Sequence, residues 1–382
     1  MALKQSDLLH REKQSSIRKM LTFFLDFLFL TITGVFAIIA VTAPILKSTK
    51  LYKNSISAME ESSVECYKIQ CEAKLSIKKD EKSIYTENEI FEEYLNTHIL
   101  LSYTYNTDQY NAASINIDDT SKKATFDSDY IGYYYSSYKL EKNIKVSDYN
   151  GKTGKEYFVS LVQGQNGNTF FDYHENELPS LKAEVGIDLK NNGKSSGFYA
   201  SFKEFFLNLN RKALMDLNEY EPYHFQYEKY INAYERICGA QNGALVITYT
   251  SLFVAMFLIP KVISGNGVTL GGLITKTRTR YERNKLLSLS LDSVLTYILF
   301  FTSAGFFGII TFGLASLSIK LISNITLLTF ILVSVIILIA DLIITAFVPK
   351  NVTLVELCSF ETFVDVHKSV KDEDLKNEKS KA

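Results

Sequence analysis

Three aspartates stand in or beside long apolar stretches, where a charge is costly: Asp26, Asp292 and Asp341. An unpaired carboxylate at membrane depth costs several kcal/mol, so such a side chain faces a helix-bundle interior or water. Two kinds of chemistry suit it. Burial can raise its proton affinity, so that it binds and releases a proton or a monovalent cation. Alternatively, a lysine or arginine neutralises it and the pair fixes helix register. Arg18, Lys19, Arg283 and Lys285 lie at the same interface as candidate partners. Measured from the span ends by the helical rise, each aspartate is expected about 7–13 Å inside the cytoplasmic boundary.

The stretches that position these residues are long. Phe27 to Leu46, Ile237 to Pro260, Ser293 to Ile319 and Leu321 to Ala340 contain no charged residue. Each can cross a hydrocarbon core as a helix. They are too continuously apolar for barrel strands. The expected architecture is an α-helical polytopic membrane protein with four transmembrane helices, at 20–46, 241–263, 288–319 and 325–348, and an inserted mixed α/β extracytoplasmic domain at 47–240.

Lysine and arginine in short loops set orientation. Lys4, Arg11, Lys13, Arg18 and Lys19 precede the first span, and Lys276, Arg278, Arg280, Arg283 and Lys285 follow the second. Residues 1–19, the basic loop 264–287 and the tail 349–382 are therefore expected to be cytoplasmic, in a plasma membrane, with Lys261 snorkelling to the inner interface. A cleavable signal peptide is the competing account of the first span. Against it, Asp26 falls early in the run, and the best cleavage triplet, Val41-Thr42-Ala43, is followed by Pro44.

The inserted domain is rich in Lys, Asn, Asp, Ser and Tyr. Ala113–Ile117, Tyr130–Leu140, Glu156–Gln163 and Lys182–Leu189 alternate like strands, separated by Asn150-Gly151, Asn166-Gly167 and Asn192-Gly193 turn signals. Helical patterns occupy Glu87–Leu101, Ser201–Leu217 and Pro222–Ile237, the last leading into the second span. Asp118-Asp119 with Asp127 and Asp129 lacks the ligand set of a calcium loop. Tyr133-Tyr134-Tyr135 and Tyr138 suit half core and half surface better than a stacking platform. No catalytic constellation assembles, so an enzyme, a cofactor and a metal site are not expected. The four cysteines, Cys66, Cys71, Cys238 and Cys358, match no zinc pattern and read as unpaired or singly bridged thiols. A net charge of -1 gives nucleic acid no footprint.

Two cytoplasmic segments remain. Gly265-Asn266-Gly267-Val268-Thr269-Leu270-Gly271-Gly272 lacks the Lys-Ser/Thr of a phosphate loop and reads as a tight exit turn. Leu354, Leu357, Phe360, Phe363 and Val364 suit a short helix lying in the interface, ahead of a charged, disordered tail from Lys368.

Three parts of the chain resemble the RDD family of bacterial membrane proteins. Ser16 to Asp26 resembles the family's opening Arg-to-Asp span. Leu258-Ile259-Pro260 with Gly265 to Gly271 resembles its second span and glycine turn. Thr353-Leu354-Val355-Glu356-Leu357 with Glu361-Thr362-Phe363-Val364 resembles its closing signature. The turn's lysine is Gly272 here, and the second family aspartate is either replaced by Glu356 or corresponds to Asp292. The resemblance implies cation/proton exchange with Arg18, Asp26 and Glu356 as the functional set, and it does not extend to the inserted domain. The expected partners are the lipid bilayer and protons or monovalent cations. The alternative is a membrane-anchored sensor whose external domain takes a ligand or protein partner.

Overall fold

The structure is a computed structural model that describes residues 15–95, 130–173, 179–264, 268–281, 285–322, 325–347, 353–359 and 361–365. Four helices are long and apolar enough to cross a membrane: Ile17–Ser48, Glu221–Ile263, Leu287–Phe312 and Leu327–Phe347. The chain divides into two compact units, Met1–Ser55 with Glu235–Ala382, and Ile56–Tyr234.

In the first unit, helix α1 runs Ser16–Ala37, then through a π-helical segment at Ile38–Thr42 to Ala43–Ser48. Helix α2 runs Glu221–Phe253 and continues through a second π-helical segment, Val254–Leu258, to Ile259–Ser264. A short helix α3 (Leu270–Thr275) and strand β1 (Thr277–Tyr281) follow. Helix α4 (Lys285–Phe312) ends where Gly313 takes a positive φ of 82°. Strands β2 (Lys320–Ile322) and β3 (Ile325–Thr326) turn the chain into helix α5 (Leu327–Phe347). Helix α6 (Leu354–Ser359) and strand β4 (Glu361–Asp365) complete the unit. Strand β4 pairs antiparallel with β1.

The helices pack through small residues and aromatic rings, as expected where lipid removes most of the hydrophobic drive for helix association. A Cβ at Gly34 would lie 2.6 Å from the Phe307 ring, and one at Gly305 would lie 2.6 Å from Ile331. Leu30, Leu245, Tyr249, Phe257, Phe300 and Phe307 belong to the shared core. Interhelical polar contacts add register: Thr42 meets Thr248 at 2.8 Å, and Thr302 meets Ser334 at 2.9 Å.

The Ile56–Tyr234 unit is helical where it is described, and this corrects the expected mixed α/β domain. Three of the four expected strands are helical. Tyr130–Leu140 forms helix Tyr130–Tyr133, a π-helical segment Tyr134–Tyr138 and a further turn at Lys139–Glu141. Glu156–Gln163 lies in helix Gly154–Gly164, and Lys182–Leu189 falls on helix Ala183–Asn192. The fourth, Ala113–Ile117, and the aspartates at 118, 119, 127 and 129 lie outside the described residues. Spacing explains the outcome. Ile131, Tyr134, Tyr135 and Tyr138 are buried at i, i+3, i+4 and i+7, and Phe158 and Val162 at i and i+4. Tyrosine and β-branched residues carry strand propensity, but burial of one helical face outweighs it. A capping box also starts Gly154–Gly164, with Thr153 and Glu156 bonding each other's backbone N–H. The turn signals end helices instead of joining strands, with Asn150 and Asn166 left-handed at φ 50° and 63°. The strand pairing of this unit is Phe171–Asp172 with Ser180–Leu181, among the described residues.

The expected helices at Glu87–Leu101 and Ser201–Leu217 are present as Glu87–Tyr94 and Tyr199–Leu217, as far as they are described. The first has its own capping box at Thr86 and Glu89. The Thr86 backbone N–H and then the Lys79 ammonium push the Glu89 carboxyl down to about 2, so this cap persists as pH falls towards that value. Inside the unit, Lys139 is fully buried, 3.1 Å from Asp216 and 3.4 Å from Asp148, with the Tyr135, Tyr149 and Tyr157 rings around its ammonium. Of the tyrosine run, Tyr134, Tyr135 and Tyr138 are core and Tyr133 is half-buried.

Candidate functional site

Asp26, Asp292 and Asp341 come from α1, α4 and α5 and line one cavity. Its volume is about 60 Å³, room for a few water molecules. Lys19 and Lys261 line it too, with Thr22, Thr269, Thr277, Thr296, Thr345 and Thr353. Phe23, Phe257 and Phe300 form its apolar wall. The Phe300 ring centroid is 4.6 Å from that of Phe23 and 5.0 Å from that of Phe257.

Two of the carboxylates in this cluster are paired. The Lys19 ammonium donates to both oxygens of Glu356, at 2.7 and 2.8 Å, and both side chains are 2% exposed. Glu356 also accepts the Thr353 N–H at 2.8 Å, while Thr353 Oγ1 accepts the Glu356 N–H at 3.0 Å, a capping box that starts α6. Lys261 donates to Asp292, whose other oxygen accepts the Thr296 hydroxyl at 3.1 Å.

The other two carboxylates make no ion pair among the described residues. Asp26 accepts the Thr269 hydroxyl at 2.6 Å and the Gly271 N–H at 2.7 Å, at the start of α3. Asp341 accepts the Leu354 N–H at 2.6 Å, at the start of α6. Backbone N–H groups at a helix start carry partial positive charge that suits a carboxylate. The glycines make the first contact feasible: a Cβ at Gly271 would lie 2.5 Å from the Thr22 carbonyl oxygen and 2.8 Å from the Asp26 carboxylate.

Other expected residues fall elsewhere. Arg18 is exposed, and its neighbour Lys19 enters the cluster instead. Arg283 lies outside the described residues. Lys261 does not snorkel. It is 5% exposed and pairs with the buried Asp292. Where it is described, the 265–272 segment is not a simple exit turn, since Thr269 caps α3, which begins at Leu270. The tail's apolar residues do not make one interfacial helix either: α6 stops at Ser359, and β4 places Phe363 and Val364 in the pairing with β1. None of the four cysteines forms a disulfide.

No family model, curated protein or solved structure matches the chain. The cluster therefore has to be read from its own chemistry. Among the described residues, no group of three or more His, Cys, Asp or Glu side chains converges to hold a metal ion.

Breaking a buried pair leaves an uncompensated charge, which costs about 3–5 kcal/mol, whereas an apolar replacement of both partners is near neutral. Lys19→Met and Glu356→Leu should each destabilise the purified protein by about that amount. The double variant should recover most of the loss, as measured by unfolding in mixed detergent and sodium dodecyl sulfate.

Proposed function

We propose that this chain is a proton-coupled multi-pass membrane protein of the RDD type, whose bundle takes up and releases a proton at Asp26 and Asp341. The observation that carries the reading is the charge imbalance of the cluster. Among the described residues, Lys19 pairs with Glu356 and Lys261 with Asp292, and two carboxylates, Asp26 and Asp341, make no ion pair. For a buried carboxylate with no counter-charge paired to it, protonation is a low-cost way to become neutral. A metal cation is the weaker fit. Donors already occupy both oxygens of Asp26, and two ammonium groups line the same cavity. The residues behind the RDD resemblance support the reading, since Asp26, Thr269, Gly271, Thr353 and Glu356 all belong to this cluster. Thus the two readings of the aspartates divide between them: Asp292 locks register through Lys261, and Asp26 and Asp341 exchange the proton.

In this proposal both termini and the cluster face the cytoplasm, and the Ile56–Tyr234 unit is extracytoplasmic. The basic residues before α1 and around β1 support that orientation.

In proteoliposomes holding a pH-sensitive dye, an imposed potential should drive proton flux through the wild type. Asp26→Asn and Asp341→Asn should each reduce it by at least about tenfold. Wild-type flux in both variants would sink the proposal. Native thiols test the orientation. Cys358 is exposed, whereas burial pushes the Cys66 thiol up to about 11 and also raises that of half-buried Cys71. A membrane-impermeant maleimide should label Cys358 in inside-out vesicles and spare it in right-side-out ones. The opposite pattern would contradict the orientation.

A further inference from the structure

The segments that reach Asp26 and Asp341 follow one pattern. Val268-Thr269-Leu270 opens the first, and Val352-Thr353-Leu354 opens the second. In each, the threonine caps the helix: Thr269 Oγ1 accepts the Gly272 N–H and Thr353 Oγ1 the Glu356 N–H, both at 3.0 Å. Each helix, α3 or α6, has 6 residues. A strand of 5 residues then follows one position further on, β1 at Thr277 and β4 at Glu361. The strands pair antiparallel, with Thr277 opposite Asp365 and Tyr281 opposite Glu361. The middle pair, Thr279 with Phe363, joins positions that are equivalent in the two segments. This is the register of a local two-fold axis, and it makes the two helix–strand modules one body.

Each module is fastened to a long helix by a carboxylate that has no ion-pair partner among the described residues. Asp26 of α1 holds Gly271 of one, and Asp341 of α5 holds Leu354 of the other. Both modules line the cavity, through Thr269, Gly272 and Thr277 on one side and Thr353 and Val355 on the other. We infer that the paired modules are a single gate on the cavity, latched by Asp26 and Asp341 and loosened when either carboxylate takes a proton, while Lys19–Glu356 and the Thr22 contacts with Thr275 and Thr277 keep both modules tethered to α1. This inference rests on the proton-binding reading above.

The physical chemistry of loosening is direct. A hydrogen bond from N–H to an ionised carboxylate is about twice as strong as one to a neutral acceptor. A proton bound to a carboxylate oxygen removes the negative charge that complements the helix start. The strand pairing then passes the loosening of one module to the other. The charged groups around Asp26 among the described residues are Lys261 of α2, Asp292 of α4, Asp341 of α5 and, on its own helix, Lys19, which is bound to Glu356 of α6. Lys19 pairs with Glu356 and Lys261 with Asp292, so among the described residues a proton at Asp26 or Asp341 breaks no lysine ion pair.

Hydrogen–deuterium exchange on the full chain in nanodiscs, at one pH, tests the latch. Asp26→Asn should speed exchange of Leu270–Tyr281 by about tenfold, and that of Leu354–Asp365 with it, although the substituted residue bonds only the first module. Asp341→Asn should give the same paired response. Loosening of one module alone, or of neither, would overturn the gate. If a variant fails to fold, the wild type at pH 5 and pH 8, normalised to intrinsic exchange rates, gives the same readout, with both modules faster at pH 5. Equal normalised rates at the two pH values would overturn the gate. Exchange and flux fail separately. Paired loosening without proton flux would leave the gate and remove transport, and flux with rigid modules would do the reverse.

Discussion

A carboxylate placed among apolar helices imposes a requirement on everything near it. Water is not there to solvate it, so the protein must bring a cation, a set of donors or a proton. Among the described residues, four carboxylates in one small region impose that requirement four times, and two lysines pair with two of them. The remaining two are answered by helix starts. Much of the local architecture follows: α3 and α6 begin with their N–H groups on Asp26 and Asp341, and the glycines after Thr269 let the backbone come close enough.

This division separates holding from exchanging. A buried lysine–carboxylate pair is hard to change, because removing either partner strands the other. Lys19–Glu356 ties α1 to α6, and Lys261–Asp292 ties α2 to α4. These pairs fix the frame. A carboxylate held by N–H and hydroxyl donors is different, since protonation weakens its bonds without leaving a stranded charge. The same frame thus contains groups suited to change state, next to an aromatic wall formed by Phe23, Phe257 and Phe300.

Some of this was legible in the residues and some was not. The four apolar helices were readable because twenty or so uncharged residues in a row have few other uses. Asp26, Asp292 and Asp341 were readable because each is out of place in its setting. Their partners were harder. Lys261 near the end of an apolar run reads as an interfacial residue, and only the approach of α4 gives it a buried counter-charge. Arg18 and Lys19 differ by one position, which is a turn of 100° on a helix, and only packing decides which faces inward. The short helices α3 and α6 span too few residues for periodicity to register. The tyrosine run from Tyr133 to Tyr138 carries strand propensity over helical spacing, and tertiary burial favours the spacing.

The central claim is that Asp26 and Asp341 change protonation state inside the bundle. Infrared difference spectroscopy after a pH jump observes this directly, because a protonated carboxyl has a carbonyl stretch that a carboxylate lacks. The account predicts such a band in the wild-type protein, reduced in Asp26→Asn and in Asp341→Asn and absent in the double variant. A band that persists unchanged in the double variant, or no band at any pH at which the protein is folded, would contradict it.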